Sequence, residues 1–320
     1  MSRKPAKKKA KAKRNSIENR NALATVLTNP MVLVLVVTIG CVVLAAKFWS
    51  DYRTTLRDDP RFGIGPDRIT MTAQPTWIRS DFRRTALEGF DWHNRSLLDQ
   101  ELVQEVGQHL EQQLWVRKVV RVEKYPTGLN AEIVYRRPVA MVELATKDLY
   151  PVDGDGVVLD SREFSPNQAD QFLRISIAGM PNQRPKMGLA WPDPRVVDAC
   201  RLAEMLSQVD VTLGIIGVYG ISHKRWADPA DPKTQVQDTE FRFWTGQRNE
   251  IIWGHAIGSE TVGEASAPQK LSALVEVTKR NGPIDQLPDL LRPEANVLDL
   301  RSGKLVQLQS KTAAVIPERR

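Results

Sequence analysis

A run of 26 residues without a charged side chain, from Asn21 to Ala46, constrains the fold of this chain more than any other feature. Its second part, Met31 to Ala46, is apolar apart from Thr38 and Gly40. A helix of that length extends about 39 Å at 1.5 Å per residue, whereas the hydrocarbon layer of a bilayer is about 30 Å thick. The sequence therefore predicts a single transmembrane helix, which we place at residues 30–49.

The charges around this run predict the direction of the helix. Residues 1–20 contain nine of the 45 basic residues and only Glu18 of the 38 acidic ones. Basic segments stay on the cytoplasmic side of a membrane, and the amphipathic rings of Trp49 and Tyr52 suit the far interface. We therefore predict a basic cytoplasmic tail at residues 1–29 and a location in the cytoplasmic (inner) membrane. The C-terminal bulk would lie in the periplasm or another extracytoplasmic space.

The basic tail accounts for the positive charge of the whole chain. Without residues 1–20, 36 basic residues stand against 37 acidic ones, so the rest of the chain carries a formal net charge of −1. This balance is not typical of a folded domain that binds nucleic acid. Attachment of the tail to anionic lipid is the favoured interpretation, and binding of RNA or DNA is the alternative.

A cleaved signal peptide is the alternative interpretation of the apolar run, with Val43, Leu44 and Ala45 as the cleavage site. An n-region of more than 20 residues and an apolar core that is long for a signal peptide favour a permanent anchor. In both interpretations residues 50–320 lie across the membrane. Residues 50–66 predict a polar connector to the folded part.

The rest of the chain predicts an α+β fold with two folded units. The first, at residues 67–138, has the order strand, helix, helix, strand, strand. Its clearest element is a helix from Ser96, which forms a capping pair with Asp99, because the apolar residues that follow recur on one face. These apolar residues are Leu98, Leu102, Val106, Leu110 and Leu114. The other predicted elements are a strand at Ile69–Ala73, a helix at Thr76–Gly89, and strands at Val116–Glu123 and Leu129–Tyr135.

The second unit, at residues 139–309, is predicted to be rich in β-strands and to contain two helices. One helix has Asp193 as N-cap and reaches about Gln208, and the other spans Pro268–Arg280. The stretches Phe164–Pro194 and Ala227–Asp238 are polar and contain proline, as insertions do. Strands are predicted at Val139–Leu144, Leu149–Val152, Val157–Leu159, Ile215–Tyr219, Phe241–Trp244, Ile251–His255, Asn296–Leu300 and Leu305–Gln309, and residues 310–320 are predicted to be a flexible C-terminal tail.

Short motifs spread over residues 67–309 occur in the order found in a known protein family. They are Leu114-Trp115-Val116, Val119–Val122, Tyr125-Pro126, Leu129–Val134, Arg136–Ala140, Val152–Gly156, Trp253-Gly254, Lys270-Leu271, and Asp299-Leu300-Arg301 with Gly303. Each motif alone is weak, but the ordered set behind a basic tail and one membrane span is specific. The chain resembles the bacterial cell-division proteins of the FtsQ family, called DivIB in other bacteria.

The resemblance implies a membrane-proximal POTRA-like domain of order β-α-α-β-β, joined near Arg137 to Ala140 to a distal β-rich domain. It implies a non-enzymatic divisome scaffold at the division septum that helps to regulate septal peptidoglycan synthesis. The implied partners are FtsB-like and FtsL-like bitopic proteins and other divisome proteins. The two polar stretches depart from the family pattern, and the tail shares only its charge with the family.

No pattern in the sequence predicts a catalytic residue, a metal site or a cofactor. The four histidines form no pair at the spacing of metal ligands, and Ser222-His223 lacks the elbow of a serine hydrolase. Asp153, Asp155 and Asp160 lack the remaining ligands of an EF-hand, so a hairpin turn is favoured over a calcium site. We therefore expect no enzyme. A membrane-anchored cell-envelope enzyme, or another POTRA-bearing assembly factor, is the alternative.

The last predicted strand is a candidate for binding a partner. Unpaired N–H and C=O groups on an outer strand can accept a strand of another protein. This segment alternates apolar and polar residues and carries no proline and no charge after Lys304; an interior strand is the alternative. The predicted partner-binding residues are Leu305, Val306, Gln307, Leu308 and Gln309, with Asp299 and Arg301 fixing the end of the strand. Family analogy predicts a second contact surface at Arg117, Arg121 and Glu123.

Overall fold

The computed structural model describes residues 30–57, 59–93, 95–226, 235–247, 249–286 and 297–308. It shows a mixed α+β protein with one apolar helix ahead of two β-sheets. Two compact units are distinguished: the first holds the described residues up to Ile69 with Asp91–Val103 and Lys124–Gly128, and the second holds the rest. The predicted tails at 1–29 and 310–320 lie outside the described residues. The predicted domain boundary between residues 138 and 139 stays a prediction.

Helix α1 (Pro30–Arg57) is 28 residues long. Its most apolar 18-residue window has a mean hydropathy of 2.6 and is not buried, so the helix is long and apolar enough to cross a membrane. A signal sequence meets the same criterion. The helix continues past the predicted end at residue 49, where the Phe48 and Tyr52 rings stack 6.4 Å apart. Arg53 also packs over the ring of Trp49, and such contacts between successive turns stabilise a helix beyond its apolar part.

The first sheet has three strands in the order β1–β3–β2. They are β1 (Ile69–Met71), β2 (Val116–Tyr125) and β3 (Gly128–Tyr135), with helices α2 (Phe82–Glu88) and α3 (Leu102–Glu111) between β1 and β2 in the chain. Alternate residues of β3 (Leu129, Ala131 and Ile133) are buried, so one face of the strand belongs to the core. Val106 and Leu110 of α3 are buried as well.

Helix α2 is shorter than the predicted helix at Thr76–Gly89. It begins at Phe82 because the side chain of Asp81 accepts the backbone N–H of Arg84 and so caps the helix there. The residues before the cap are held by a side chain instead of by helical bonds. The amide of Gln74 donates to the carbonyls of Ile78 and Ser80 at 2.9 and 2.7 Å.

The helix predicted from Ser96 begins six residues later, at Leu102. The carboxylate of Asp99 does accept the N–H of Ser96, as a capping pair should, but Ser96 also pairs with Gly63 in an isolated β-bridge. The pair therefore closes a turn rather than opening a helix. Leu98, predicted to lie on the apolar face, is consequently 46% exposed.

The second sheet has eight strands in the order β11–β10–β9–β8–β7–β6–β4–β5. They are β4 (Pro138–Glu143), β5 (Leu149–Asp153), β6 (Leu173–Ile177), β7 (Ile215–Trp226), β8 (Gln235–Thr245), β9 (Glu250–Gly254), β10 (Val297–Asp299) and β11 (Val306–Leu308). The pairs β4–β6, β6–β7 and β9–β10 are parallel, and the other neighbours are antiparallel. Among the described residues, β11 and β5 are the two outer strands.

Strand β6 lies inside the stretch Phe164–Pro194, which the sequence predicted to be a polar insertion. It pairs with β4 on one side and β7 on the other, and Ile175 and Ile177 are buried. The polar residue within it, Arg174, is only 14% exposed because its guanidinium pairs with Asp170. That the stretch is an insertion stays a prediction. Its polar composition does not prevent Leu173–Ile177 from forming an inner strand, because Asp170 pairs with the charged side chain of Arg174.

Helices α5 (Pro194–Ser207) and α6 (Ala267–Asn281) pack into the core of the eight-stranded sheet, and α4 (Pro166–Ala169) is a single turn. The side chain of Asp193 accepts the N–H of Arg195, so the N-cap is where the sequence placed it. The largest buried side chains include Trp253 and Phe241. The strand predicted at Val157–Leu159 forms only isolated bridges, because its residues pair with two separate segments.

Candidate functional site

Strand β11 lies at one end of the eight-stranded sheet, in the segment that the sequence predicted to bind a partner. Within the described residues it pairs with β10 alone, in an antiparallel register that sets Val306 opposite Asp299. Leu305 packs against the core, whereas Val306 is 45% exposed. Of the other predicted residues, Gln307 and Leu308 belong to the strand and Gln309 lies outside the described residues.

Asp299 and Arg301 hold the turn that leads from β10 to β11. The carboxylate of Asp299 accepts the backbone N–H of Arg301 at 2.9 Å and its Nε and Nη2 at 3.1 and 2.7 Å. Between them, Leu300 is fully buried and donates its N–H to the carbonyl of Ile252 on β9 at 3.0 Å. Partial burial raises the pKa of Asp299, but the bonds from Arg301 outweigh it and lower that pKa below its usual value. The turn is therefore fixed by an ion pair and a buried anchor.

A buried carboxylate, Glu264, lies beside this turn with its side chain 3% exposed. It accepts hydrogen bonds from Nζ of Lys270 at 2.5 Å and from the backbone N–H groups of His255 and Thr261 at 2.9 and 3.0 Å. The His255 ring contacts Glu264 through Nδ1 at 2.5 Å and Asp238 through Nε2 at 3.1 Å. We call Glu264, Lys270, His255 and Asp238 the Glu264 cluster. It connects β8, the end of β9, the following loop and α6.

Burial and hydrogen bonding act in opposite directions on the Glu264 cluster. Burial raises the pKa of Glu264, but hydrogen bonds from Lys270, Thr261 and His255 outweigh it and lower that pKa to about 2. For His255, burial lowers the pKa, whereas its bonds to Glu264 and Asp238 raise it, and the net change is a rise. Lys270 has no exposed surface, and its Nζ lies 4.9 Å from the centroid of the Trp253 ring. Glu264 and Lys270 thus form a buried ion pair.

Two glycines permit these elements to approach each other. Gly254 ends β9 with φ +97°, and a Cβ there would lie 2.0 Å from Oε1 of Glu264 and 3.0 Å from Cγ of Arg301. Gly303 has φ +73° in the turn before β11, and a Cβ there would lie 2.9 Å from Cβ of Ala265. Glycine alone combines a favourable positive φ with the absence of a Cβ, and both positions need the two properties together. The C-terminal motifs of the sequence, although far apart in the chain, therefore meet at the base of β11.

The second predicted surface lies on β2, an outer strand of the three-stranded sheet in the described part of the chain. Arg117 forms ion pairs with Glu204 on α5 at 2.8 Å and with Asp155 at 2.9 Å, and the pair with Glu204 contributes most to raising its pKa. Arg121 forms an exposed ion pair with Glu123 at 3.1 Å. Arg117 is therefore engaged within the protein, whereas Arg121 and Glu123 remain accessible.

The aspartates considered for calcium have a structural role in the hairpin turn. Oδ1 of Asp153 accepts the backbone N–H groups of Asp155 and Val157 at 3.0 and 2.8 Å, and Oδ2 pairs with Arg136 at 2.6 Å. Every lone pair used in this way is unavailable to a cation. Across the ranges that the structure describes, no group of three or more His, Cys, Asp or Glu residues is placed to hold a metal ion.

No pattern in the sequence indicated a role for Glu264 or His255. One signal could have indicated the cluster: Lys270 shares the buried face of α6 with Leu274 and Thr278, at a spacing of four residues. A lysine on a buried face needs an acidic partner. The identity of that partner required the tertiary structure, because Glu264 lies in a loop without regular spacing.

The site as a whole is a three-residue outer strand that follows a turn fixed by the Asp299–Arg301 ion pair. No protein-family model matches the chain, and no curated protein matches it.

Proposed function

We propose that the chain is a non-enzymatic divisome scaffold of the FtsQ type. Helix α1 holds it in the cytoplasmic membrane, with the folded part outside the cytoplasm, at the division septum. The length and apolar surface of α1 and the basic residues before it support this topology. The order β1, α2, α3, β2, β3 supports a POTRA-like domain at residues 67–138, followed by a β-rich domain at 139–309.

The observation that carries the proposal is the position of β11. It is an outer strand that pairs with β10 alone in the described part of the chain, and it is only three residues long. A partner strand that adds to it extends the sheet through main-chain hydrogen bonds, with side-chain contacts supplying specificity. The Asp299–Arg301 ion pair fixes the turn before this edge, which lowers the ordering entropy that opposes binding.

The proposed partners are FtsB-like and FtsL-like bitopic proteins, whose extracytoplasmic segments would provide the added strand. By assembling them with other divisome proteins, the chain would help to regulate septal peptidoglycan synthesis. The basic tail at residues 1–29 would bind anionic lipid at the cytoplasmic surface. Catalysis, cofactors and nucleic acid have no part in this proposal.

Proline substitution in β11 tests the proposal. The full chain in detergent, unmodified or as Val306→Pro, is mixed with purified FtsB-like and FtsL-like proteins, and the recovered complex is quantified. Proline removes a backbone N–H and fixes φ, so Val306→Pro should abolish recovery. Val306→Thr, which keeps the N–H and the branched shape, is the matched control and should retain it. Circular dichroism verifies that both variants remain folded.

Undiminished recovery with Val306→Pro would contradict strand addition at β11. Localisation in dividing cells tests the wider assignment, because a fluorescent fusion of the full chain should concentrate at the septum. Uniform membrane fluorescence together with hydrolytic activity in the purified chain would instead favour a membrane-anchored envelope enzyme.

A further inference from the structure

Strands β7 and β8 extend beyond their neighbours in the eight-stranded sheet. Strand β6 pairs with β7 no further than Gly220, and β9 pairs with β8 no further than Phe241. In the described part of the chain, the remaining residues of the two strands, 221–226 and 235–240, pair only with each other. We call this two-stranded ribbon the β7–β8 arm. A two-stranded ribbon alone is at most marginally stable in water, so contacts at its base decide whether it keeps one position.

Two side-chain contacts join β8 of the arm to the part of the sheet that carries β11. Oδ1 of Asp238 lies 3.1 Å from Nε2 of His255, which follows the end of β9. Oε2 of Glu240 lies 3.5 Å from Nη1 of Arg301, in the turn between β10 and β11. The side chain of Arg301 is 44% exposed, and exposed ion pairs contribute little to stability. The contact between Asp238 and His255 is therefore the stronger of the two.

The two ring nitrogens of His255 both face carboxylates. Nδ1 lies 2.5 Å from Oε2 of Glu264, and Nε2 lies 3.1 Å from Oδ1 of Asp238. An ionised carboxylate accepts hydrogen bonds but donates none. Both ring nitrogens must therefore carry a proton, as they do only in the imidazolium form. A neutral ring has a single N–H group, so it can donate to one of the two carboxylates and directs a lone pair at the other.

The burial of the two carboxylates decides which contact a neutral ring gives up. The side chain of Glu264 is 3% exposed and is the closer of the two to the ring, whereas the side chain of Asp238 is 26% exposed. A buried acceptor that loses a hydrogen bond costs more free energy than one that water can hydrate. The remaining proton therefore stays on Nδ1, next to Glu264. Loss of the other proton breaks the contact between His255 and Asp238 and leaves the contact with Glu264 in place.

Other titratable and charged side chains lie on the elements around His255. Burial raises the pKa of Glu264 and of Asp299, but hydrogen bonds outweigh it and lower both pKa values, so these carboxylates stay ionised above pH 5. Histidine is the residue type that changes charge between pH 5 and 8, and His223 lies directly across the arm from Asp238. The full set is Asp238 and Glu240 on β8, His223 on β7, Glu264 in the loop after β9, Lys270 on α6, and Asp299 and Arg301 at the turn before β11.

We infer that His255 is a pH-sensitive latch, which holds the β7–β8 arm against the β9–β11 side of the sheet when its ring is protonated and releases the arm when the ring is neutral. On the other face of the arm, the hydroxyl of Ser222 accepts a hydrogen bond from Arg195 at 2.8 Å, so release concerns the residues beyond this point. The latch concerns the arm alone and does not depend on a partner. Its consequence for β11, through the turn that holds Arg301, is the one part that rests on the proposed function.

Hydrogen–deuterium exchange of the full chain in lipid nanodiscs, followed by mass spectrometry, tests the latch without any partner. Exchange is measured at pH 5.5 and pH 8.5, with labelling times scaled to the intrinsic exchange rate at each pH. Amides of residues 235–240 should be less protected at pH 8.5 by roughly tenfold, the effect of losing one charge-assisted hydrogen bond. Amides of β4 should keep the same protection at both values, which shows that the sheet remains folded.

Three variants identify the group that responds to pH. Asp238→Asn should abolish the difference between the two pH values, because an amide can accept from the imidazolium and can also donate to the neutral ring. His255→Gln should abolish it as well, since no ionisable group remains at this position. His223→Gln is the matched control: it removes the other histidine next to Asp238 and should leave the difference unchanged.

Three results would overturn the inference. The first is equal protection of residues 235–240 at both pH values in the unmodified chain. The second is an unchanged difference in His255→Gln or in Asp238→Asn. The third is a difference that disappears in His223→Gln while it persists in His255→Gln, because the exposed histidine of the arm would then be the responsive group. None of these results depends on whether β11 binds a partner, so the latch and the proposed function fail separately.

Discussion

The substitution Lys270→Met tests how much the Glu264 cluster contributes to stability. Lys270 has no exposed surface, and its Nζ lies 2.5 Å from a carboxylate that is itself 3% exposed. Methionine keeps the apolar length of the side chain but leaves the charge of Glu264 without its main partner. Removing one member of a buried ion pair destabilises a protein by about 3–5 kcal/mol. Because His255 and backbone N–H groups still bond to Glu264, we expect a loss of stability at the lower end of this range, about 3 kcal/mol.

For a domain of roughly 150 to 250 residues, a loss of about 3 kcal/mol lowers Tm by about 6–12 °C. Thermal unfolding of the full chain, followed by near-UV circular dichroism of the buried tryptophans, measures this shift. Lys279→Met is the matched control, because Lys279 lies on the exposed face of the same helix and should change the free energy of unfolding by less than about 0.5 kcal/mol.

A third variant separates charge from packing. Adding Glu264→Gln to Lys270→Met removes the unpaired charge, so the double variant should lose less free energy than the sum of the two single changes. If Lys270→Met lowers Tm no more than Lys279→Met does, the cluster does not stabilise the base of β11 and the reasoning above is wrong.

Two further predictions concern the same region. The pKa of His255 is raised in the folded protein. Protonated His255 therefore stabilises the fold fully at pH values below its unfolded-state pKa of about 6.5, and this stabilisation is lost as the pH rises through the folded-state pKa. Glu264 has a folded-state pKa of about 2, compared with its usual pKa of 4.5. Its carboxylate therefore stabilises the fold at pH values above 4.5, and this stabilisation is lost as the pH falls towards 2. Urea unfolding should therefore show greater stability at pH 5.5 than at pH 8.5, and His255→Gln should reduce that difference; an unchanged difference would exclude His255 as its source. Gly254→Ala should destabilise the protein by several kcal/mol more than Gly258→Ala, because both positions have positive φ but only a Cβ at Gly254 meets Glu264, at 2.0 Å. Equal melting temperatures for the two variants would contradict the close approach described at Gly254.

Local patterns in the sequence were sufficient to predict the apolar helix and the approximate positions of most other helices and strands. The uncharged run predicted α1, and Asp193 as the N-cap predicted the start of α5. These features depend on residues within about one or two turns of each other, which is why periodicity and capping residues reveal them. The same local reasoning failed at Ser96, because a β-bridge to Gly63 outweighed the helix signal.

The positions of groups that are distant in the chain were decided only by the tertiary structure. Sheet order placed β11 at an end and β6 in the interior, although their sequences did not distinguish an outer strand from an inner one. Lys270 pairs with a carboxylate that lies in a loop. Hydrogen bonds and ion pairs act over a few ångströms in space, so residues without regular spacing in the sequence become partners only when the chain has folded.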